Sequence, residues 1–295
     1  MPEAAIIDGN AVAERIQAEV RQQVADLKGR GVSPRLVAVL VGEPPAGLVY
    51  ARSQERICQK TGIIYDLVRL PVECDAHCVE QRIGGLNADP SVTGIMLHMP
   101  LPPWIDAPSM QYRIDPYKDV EGVNPANIGL VFYGQPIIAP CTALAVVELI
   151  ETVGIRLRGA HAVVVGQGAI VGRPISVLLA QKDATVTSCN EFTPDLAGHT
   201  RRADLLVVAA GRAGLITASH VRPGAVVIDV GINRVTVPGP DGRETARTVG
   251  DVVFEEVRDV ASAITPVPGG VGPVTVSMLL RNTVEAARKQ LARRA

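Results

Sequence analysis

The stretch whose residue types and spacing carry the most chemistry is Ala162-Val163-Val164-Val165-Gly166-Gln167-Gly168-Ala169-Ile170-Val171-Gly172-Arg173-Pro174. A β-branched run enters a glycine-rich turn, and a helical pattern from Ile175 to Ala180 leaves it. That context suits a dinucleotide. Gly166 permits the tight turn, and Gly168 lets the backbone approach a pyrophosphate at the positive end of the next helix. The spacing G-x-G-x-x-x-G is one residue longer than the common fingerprint, so a plain tight turn in an α/β protein stands as the alternative. Glu191 lies nineteen residues after Gly172 and is the first acidic residue beyond the next strand pattern. A carboxylate there holds ribose hydroxyls and repels a 2′-phosphate, which favours NAD over NADP. Arg173 argues the other way, because a guanidinium beside the loop can pair with a phosphate. A Glu191 turned to solvent would leave Arg173 free to favour NADP.

The elements around this loop alternate. Short strands are predicted at 184–187, 205–209 and 225–230, each followed by turn or helix signals, as in a doubly wound parallel sheet. Upstream, Val12, Ile16, Val20, Val24 and Leu27 recur at helical spacing up to Gly29-Arg30-Gly31. Strand patterns at 36–41, 64–70 and 94–99 alternate with helices, one of which carries Tyr50, Gln54, Ile57 and Cys58 and stops near Gly62. The fold class is therefore α/β with two α/β domains, the second a Rossmann-type sheet. A helix at 143–152 leads into the second domain. One at 274–291 returns to the first, which is discontinuous: 1–142 with 274–295, against 143–273 for dinucleotide binding. A polar surface turn is expected at 237–242.

The chain has 295 residues, a formal net charge of −1, 47% hydrophobic residues and 3% aromatics. That allows two domains with real cores. It offers no electrostatic or stacking footprint for nucleic acid. No apolar run approaches a membrane span, and the first residues do not read as a signal peptide. The five cysteines, Cys58, Cys74, Cys78, Cys141 and Cys189, form an odd set without a disulfide framework, so a cytoplasmic location is expected. Cys74-Asp75-Ala76-His77-Cys78 has no second ligand pair, so no metal is expected.

Several motifs follow one another in a recognisable order. They are Val41-Gly42 to Tyr50, Gly94 to Pro102, Lys118-Asp119-Val120-Glu121-Gly122, Pro140-Cys141-Thr142, Gly172-Arg173-Pro174, Ile228 to Asn233, and Thr265-Pro266-Val267-Pro268-Gly269-Gly270-Val271-Gly272-Pro273. Together they resemble the bifunctional methylenetetrahydrofolate dehydrogenase/methenyltetrahydrofolate cyclohydrolase family, called FolD in bacteria, over essentially the whole chain. The resemblance implies hydride transfer from 5,10-methylenetetrahydrofolate to a nicotinamide, then hydration of the methenyl cation to 10-formyltetrahydrofolate. It implies a folate cleft between the domains and a homodimer. It places folate against Tyr50, Pro100, Leu101, Pro268, Gly269, Gly270, Val271 and Pro273. The cofactor falls against Gly166, Gln167, Gly168, Ile170, Val171, Gly172, Arg173, Glu191, Gly211, Ile232 and Thr275.

The sequence departs from the family at the reacting centre. Tyr50 is kept and shares a helix face with position 54, but the family Lys there is Gln54. The family Gln is His98, the family Asp is Glu121, and the Ser after Ala46 is Gly47. The Ser-Arg that takes a 2′-phosphate is Glu191-Phe192. Tyr50, Gln54, His98 and Glu121 are thus the catalytic candidates. Hydride transfer needs mainly alignment and some stabilisation of the developing cation. Hydration also needs a base and an acid. Gln54 cannot transfer a proton, whereas a histidine can. The expected activity is an NAD-using methylenetetrahydrofolate dehydrogenase with weak or absent cyclohydrolase. The alternatives are a bifunctional enzyme with His98 as base, with His98 otherwise a structural histidine, and a divergent paralogue acting on another substrate.

Overall fold

The structure, a computed structural model, describes residues 3–238 and 244–294. The chain divides into two compact units. One is Glu14–Cys141 with Val276–Ala295, and the other is Met1–Ala13 with Thr142–Thr275.

In chain order the elements begin with β1 (Ala5–Ile6), α1 (Gly9–Gly29), β2 (Arg35–Val41), α2 (Pro45–Thr61) and β3 (Ile64–Leu70). There follow α3 (Ala76–Ala88), β4 (Gly94–Leu97), α4 (Ala107–Tyr112), α5 (Pro125–Phe132) and α6 (Cys141–Val153). Next come β5 (His161–Val165), α7 (Gly172–Gln181), β6 (Thr185–Cys189), α8 (Leu196–Thr200), β7 (Leu205–Val208) and β8 (Val226–Asp229). The chain closes with β9 (Asn233–Pro238), β10 (Glu244–Val249), α9 (Phe254–Arg258), β11 (Ala263–Ile264) and α10 (Val271–Arg294).

The first unit holds a three-stranded parallel sheet in the order β3-β2-β4. Its central strand, β2, reads Arg-Leu-Val-Ala-Val-Leu-Val and is buried from Leu36 to Val41. A continuous apolar run is what a parallel strand covered on both faces requires. Helix α2 ends at Gly62, whose φ of 81° closes the helix with N–H bonds to the Cys58 and Gln59 carbonyls. The second unit holds a six-stranded parallel sheet, β1-β11-β8-β7-β5-β6, and an antiparallel β9–β10 pair. Its inner strands, β5, β7 and β8, are again apolar runs, so the alternation of strands and helices gives the Rossmann-type sheet expected.

Three readings of the sequence are corrected. The first 13 residues fall with the six-stranded unit, not with the folate domain. The reason is β1: Ala5 and Ile6 pair with Ala263 and Ile264, too short a strand to show periodicity. Cys74 and Cys78 are joined by a disulfide, their Cα atoms 5.6 Å apart, which lies in the range a bridge spans. Strand β4 stops at Leu97, two residues short of its expected end. Most of the turn expected at 237–242 lies outside the described residues. Among the described residues, no helix is long and apolar enough to cross a membrane.

The loop after β4 is held by polar side chains. Ile95 N donates to the Lys118 carbonyl at 2.8 Å. Lys118 Nζ donates to the carbonyls of Leu86, Asn87 and Asp89 at 2.9, 2.8 and 2.7 Å, which closes the end of α3. Asp119 is fully buried and accepts from Gly122 N, Asn124 N and Asn127 Nδ2 at 3.1, 2.7 and 2.8 Å. From α10, Asn282 Nδ2 donates to the Val120 and Ala139 carbonyls, both at 2.9 Å. Asn282→Leu strands the Ala139 carbonyl and leaves the Val120 carbonyl only the Cys141 thiol as donor, and the expected cost is about 1–3 kcal/mol. Urea denaturation reads it, and an unchanged midpoint would contradict this bracing.

Candidate active site

The candidate residues fall into two sets, one in each unit. In the three-stranded unit, α2 carries Tyr50 and Gln54 one turn apart, His98 follows β4, and Glu121 sits in the loop braced by Asp119. The structure brings all four together, with a fifth residue, Tyr65 on β3. Gln54 is 1% exposed. Its Nε2 donates to Met96 Sδ at 3.1 Å, and its Oε1 accepts from the Tyr65 hydroxyl at 3.3 Å. The same hydroxyl lies 3.5 Å from His98 Nε2. The Tyr50 and His98 rings stand edge to face, centroids 5.9 Å apart and planes at 89°.

Burial sets the protonation of this cluster. His98 is 2% exposed, and desolvation lowers its pKa, so the imidazole is neutral near pH 7. Tyr50 is 41% exposed as a residue. Desolvation and then the charge of Glu121 push it up to about 12, offset in part by a hydrogen bond with Gln54. Desolvation also raises Tyr65. Glu121 is the exception that can titrate near neutrality. Desolvation first, and then the neighbouring Asp119 carboxylate, push it up to about 8. A backbone hydrogen bond from Leu97 opposes the shift, while Glu121 Oε2 is buried without a partner. Of the neighbouring proline turn, Pro100 is exposed and follows a cis bond. Leu101 packs into the core with Val37, Ile95 and Ile114 and is 8% exposed.

In the six-stranded unit, β5 runs into the glycine loop. Gly166 has φ of 97°, and a Cβ there would overlap the Ala209 carbonyl. A Cβ on Gly172 would overlap the Gly166 carbonyl, so the third glycine sets the approach of α7 to the loop. Gly168 meets nothing within 4 Å, which leaves its backbone open. Gln167 Nε2 reaches back to the Val164 carbonyl at 3.3 Å. Ile170 is 46% exposed, Val171 precedes α7, and Arg173 is exposed on its first turn. Glu191 is exposed two residues beyond β6, the strand paired beside β5. Gly211 N donates to Asp251 Oδ2 at 2.8 Å. Two close-approach glycines, an open third and a free carboxylate beyond the neighbouring strand fit a dinucleotide.

A cavity of about 360 Å3 lies in the same unit, lined by Asn10, Asp229, Gly231, Ile232 and residues 266–273. It gathers Ile232 with Pro268, Gly269, Gly270, Val271 and Pro273. Gly9 N donates to the Gly269 carbonyl at 2.9 Å, so the chain's first turn holds the proline–glycine loop. Buried Asp229 accepts from Gly231, Asp251 and Val252 N–H at 2.9, 3.0 and 3.0 Å, and desolvation pushes its pKa up to about 6. Thr275 is outside that lining; its hydroxyl donates to the Val271 carbonyl at 3.1 Å. Sequence reasoning missed Tyr65, Asp251 and Asn10. Tyr65 reads only as a strand former, and Asp251 and Asn10 stand in no motif that reports a partner.

The fold and these two sets define a two-unit α/β protein with a Rossmann-type dinucleotide-binding sheet. Residues 7–121 match the family model for the tetrahydrofolate dehydrogenase/cyclohydrolase catalytic domain, and residues 140–291 match its NAD(P)-binding domain. The bifunctional protein FolD 2 of Bordetella pertussis is 48% identical, over 97% of this chain and 98% of that protein. FolD 2 of Mesorhizobium japonicum is 49% identical, over 97% and 92%. A solved structure of Trypanosoma brucei N5,N10-methylenetetrahydrofolate dehydrogenase-cyclohydrolase (FolD), complexed with NADP cofactor and inhibitor, superposes with a TM-score of 0.91. It is 40% identical and covers 99% of each chain. The chain belongs to the tetrahydrofolate dehydrogenase/cyclohydrolase family.

Glu121 makes stability depend on pH. Its folded pKa lies above the ordinary 4.5, so the folded state keeps a proton that the unfolded chain releases. The contribution is fully present below about 4.5 and is lost as pH rises through about 8. Glu121→Gln is therefore expected to gain on the parent chain across that window, read as Tm against pH. Parallel curves would contradict the raised pKa.

Proposed function

We propose that this chain is a 5,10-methylenetetrahydrofolate dehydrogenase that passes hydride to NAD, with weak or absent methenyltetrahydrofolate cyclohydrolase activity. The observation that carries this reading is Gln54, a buried amide tied to Met96 and Tyr65 where ring opening needs proton exchange. When bound, the dinucleotide supplies the acceptor for the hydride that leaves the methylene carbon, which becomes the methenyl cation. The residues around Gln54 suit that product. The amide and the neutral imidazole carry no charge, the phenols stay protonated, and Glu121 adds only negative charge when it ionises. Two like charges about 4 Å apart repel by about 4 kcal/mol at an effective dielectric of about 20. A cation at position 54 would oppose the product by an energy of that order, and Gln54 removes it. Hydration would still need a group to activate water and another to protonate the leaving nitrogen.

A second reading is favoured by His98, whose neutral imidazole can accept a proton. It retains both activities: the 48% and 49% identical relatives are named bifunctional, and the Trypanosoma brucei relative is named a dehydrogenase-cyclohydrolase. For the cofactor, the place of the Glu191 carboxylate two residues beyond β6 supports NAD, while its exposure, Arg173 and the NADP bound by the Trypanosoma brucei relative weigh towards NADP. Action as a homodimer in the cytoplasm rests on the family resemblance and on composition.

The test is a spectrophotometric assay with methylenetetrahydrofolate and either NAD or NADP, following the methenyl product and the reduced cofactor separately. Methenyl product is expected to accumulate in step with reduced NAD. Glu191→Ser is expected to raise the use of NADP relative to NAD about tenfold or more. Reduced cofactor without methenyl build-up means that the ring is opened, and the second reading replaces the first. No turnover with either cofactor overturns both.

A further inference from the structure

We propose that Tyr65 is a positioning residue of this site, whose hydroxyl sets how the Gln54 amide faces and which nitrogen of His98 carries the hydrogen. The inference deepens the dehydrogenase reading and concerns the same cluster.

The argument is a count of donors and acceptors. The Tyr65 hydroxyl lies 3.3 Å from Gln54 Oε1 and 3.5 Å from His98 Nε2. It has one proton to give and lone pairs to receive with. Gln54 Nε2 donates to Met96 Sδ at 3.1 Å. A thioether has no hydrogen to give, so the amide nitrogen faces Met96 and Oε1 faces Tyr65. Gln54 is 1% exposed, so an Oε1 without a donor there would be a stranded buried acceptor. The Tyr65 proton therefore belongs to Gln54, the nearer partner. That leaves the Tyr65 oxygen only lone pairs for His98, and Nε2 must supply the hydrogen.

The chain then runs from His98 Nε2–H to Tyr65 Oη, from Tyr65 O–H to Gln54 Oε1, and from Gln54 N–H to Met96 Sδ. Every step has one donor and one acceptor. The reverse assignment, with Tyr65 donating to Nε2, strands Gln54 Oε1. His98 then holds its lone pair on Nδ1. Tyr65 acts through His98, whose ring stands edge to face with Tyr50, the residue that the family resemblance places against folate.

The test uses the full chain with 15N-labelled histidine. The chain has five histidines, and the His98 signal is assigned by its loss in His98→Gln. The parent protein is expected to show the Nε2–H tautomer at His98. In Tyr65→Phe the ring loses its acceptor, and the signals are expected to move towards Nδ1–H. In the same variant kcat for methylenetetrahydrofolate oxidation is expected to fall about tenfold, with the KM for the dinucleotide unchanged. An Nδ1–H tautomer in the parent overturns the proposal, even if Tyr65→Phe fails to fold. So does a folded Tyr65→Phe with unchanged His98 signals. The tautomer is read without turnover. A protein with the expected tautomer but no folate oxidation would sink the dehydrogenase assignment and leave the role of Tyr65 standing.

Discussion

A carboxyl group buried beside another carboxylate is costly unless one of the two keeps its proton, and Glu121 beside Asp119 is such a pair. The three-stranded unit divides the roles between them. Asp119 is fully buried and receives three N–H bonds that hold the loop in shape. Glu121 receives one backbone bond and has an oxygen without a partner. Asn282 and Lys118 hold the surrounding backbone, and the lysine of this loop caps α3. Above this pair the chain places an amide, a neutral imidazole and two phenols. The result is a cluster of hydrogen-bonding groups beside a carboxyl whose pKa is pushed up to about 8.

The six-stranded unit is held by the same device used differently. Asp229 and Asp251 are buried carboxylates: Asp229 accepts from Gly231 N after β8 and from Asp251 N and Val252 N after β10, and Asp251 accepts from Ala210 N and Gly211 N after β7 and from Asn233 Nδ2. Of the two, Asp229 lines the cavity. The glycine loop is shaped by contact instead: Gly166 and Gly172 are glycines because backbone lies where a side chain would go. Gly168 is the one with space before it.

Much of this was legible in the sequence because its causes are local. The apolar runs of β2, β5, β7 and β8 report burial on both faces, and Tyr50 and Gln54 meet because they lie one helical turn apart. The glycine loop carries its own geometry. What was not legible depends on pairing at long range. Tyr65 reaches His98 only because β3 and β4 flank β2, a register set by residues 33 positions apart in the chain. Strand β1 has two residues and shows no period. The Cys74–Cys78 bridge was hidden by an odd cysteine count. Helices α4 and α5 did announce themselves, by Asp106 and Asn124 before Pro108 and Pro125, a cap-and-proline signal that short length made easy to pass over.

The account turns on Glu121 being a protonated acid at neutral pH. The direct measurement is a 13C titration of its side-chain carboxyl in the full chain, assigned with Glu121→Gln. The account predicts a midpoint of about 8. A midpoint near the ordinary 4.5 would mean that a cation or water reaches the carboxylate, and the argument from a neutral pocket would fail.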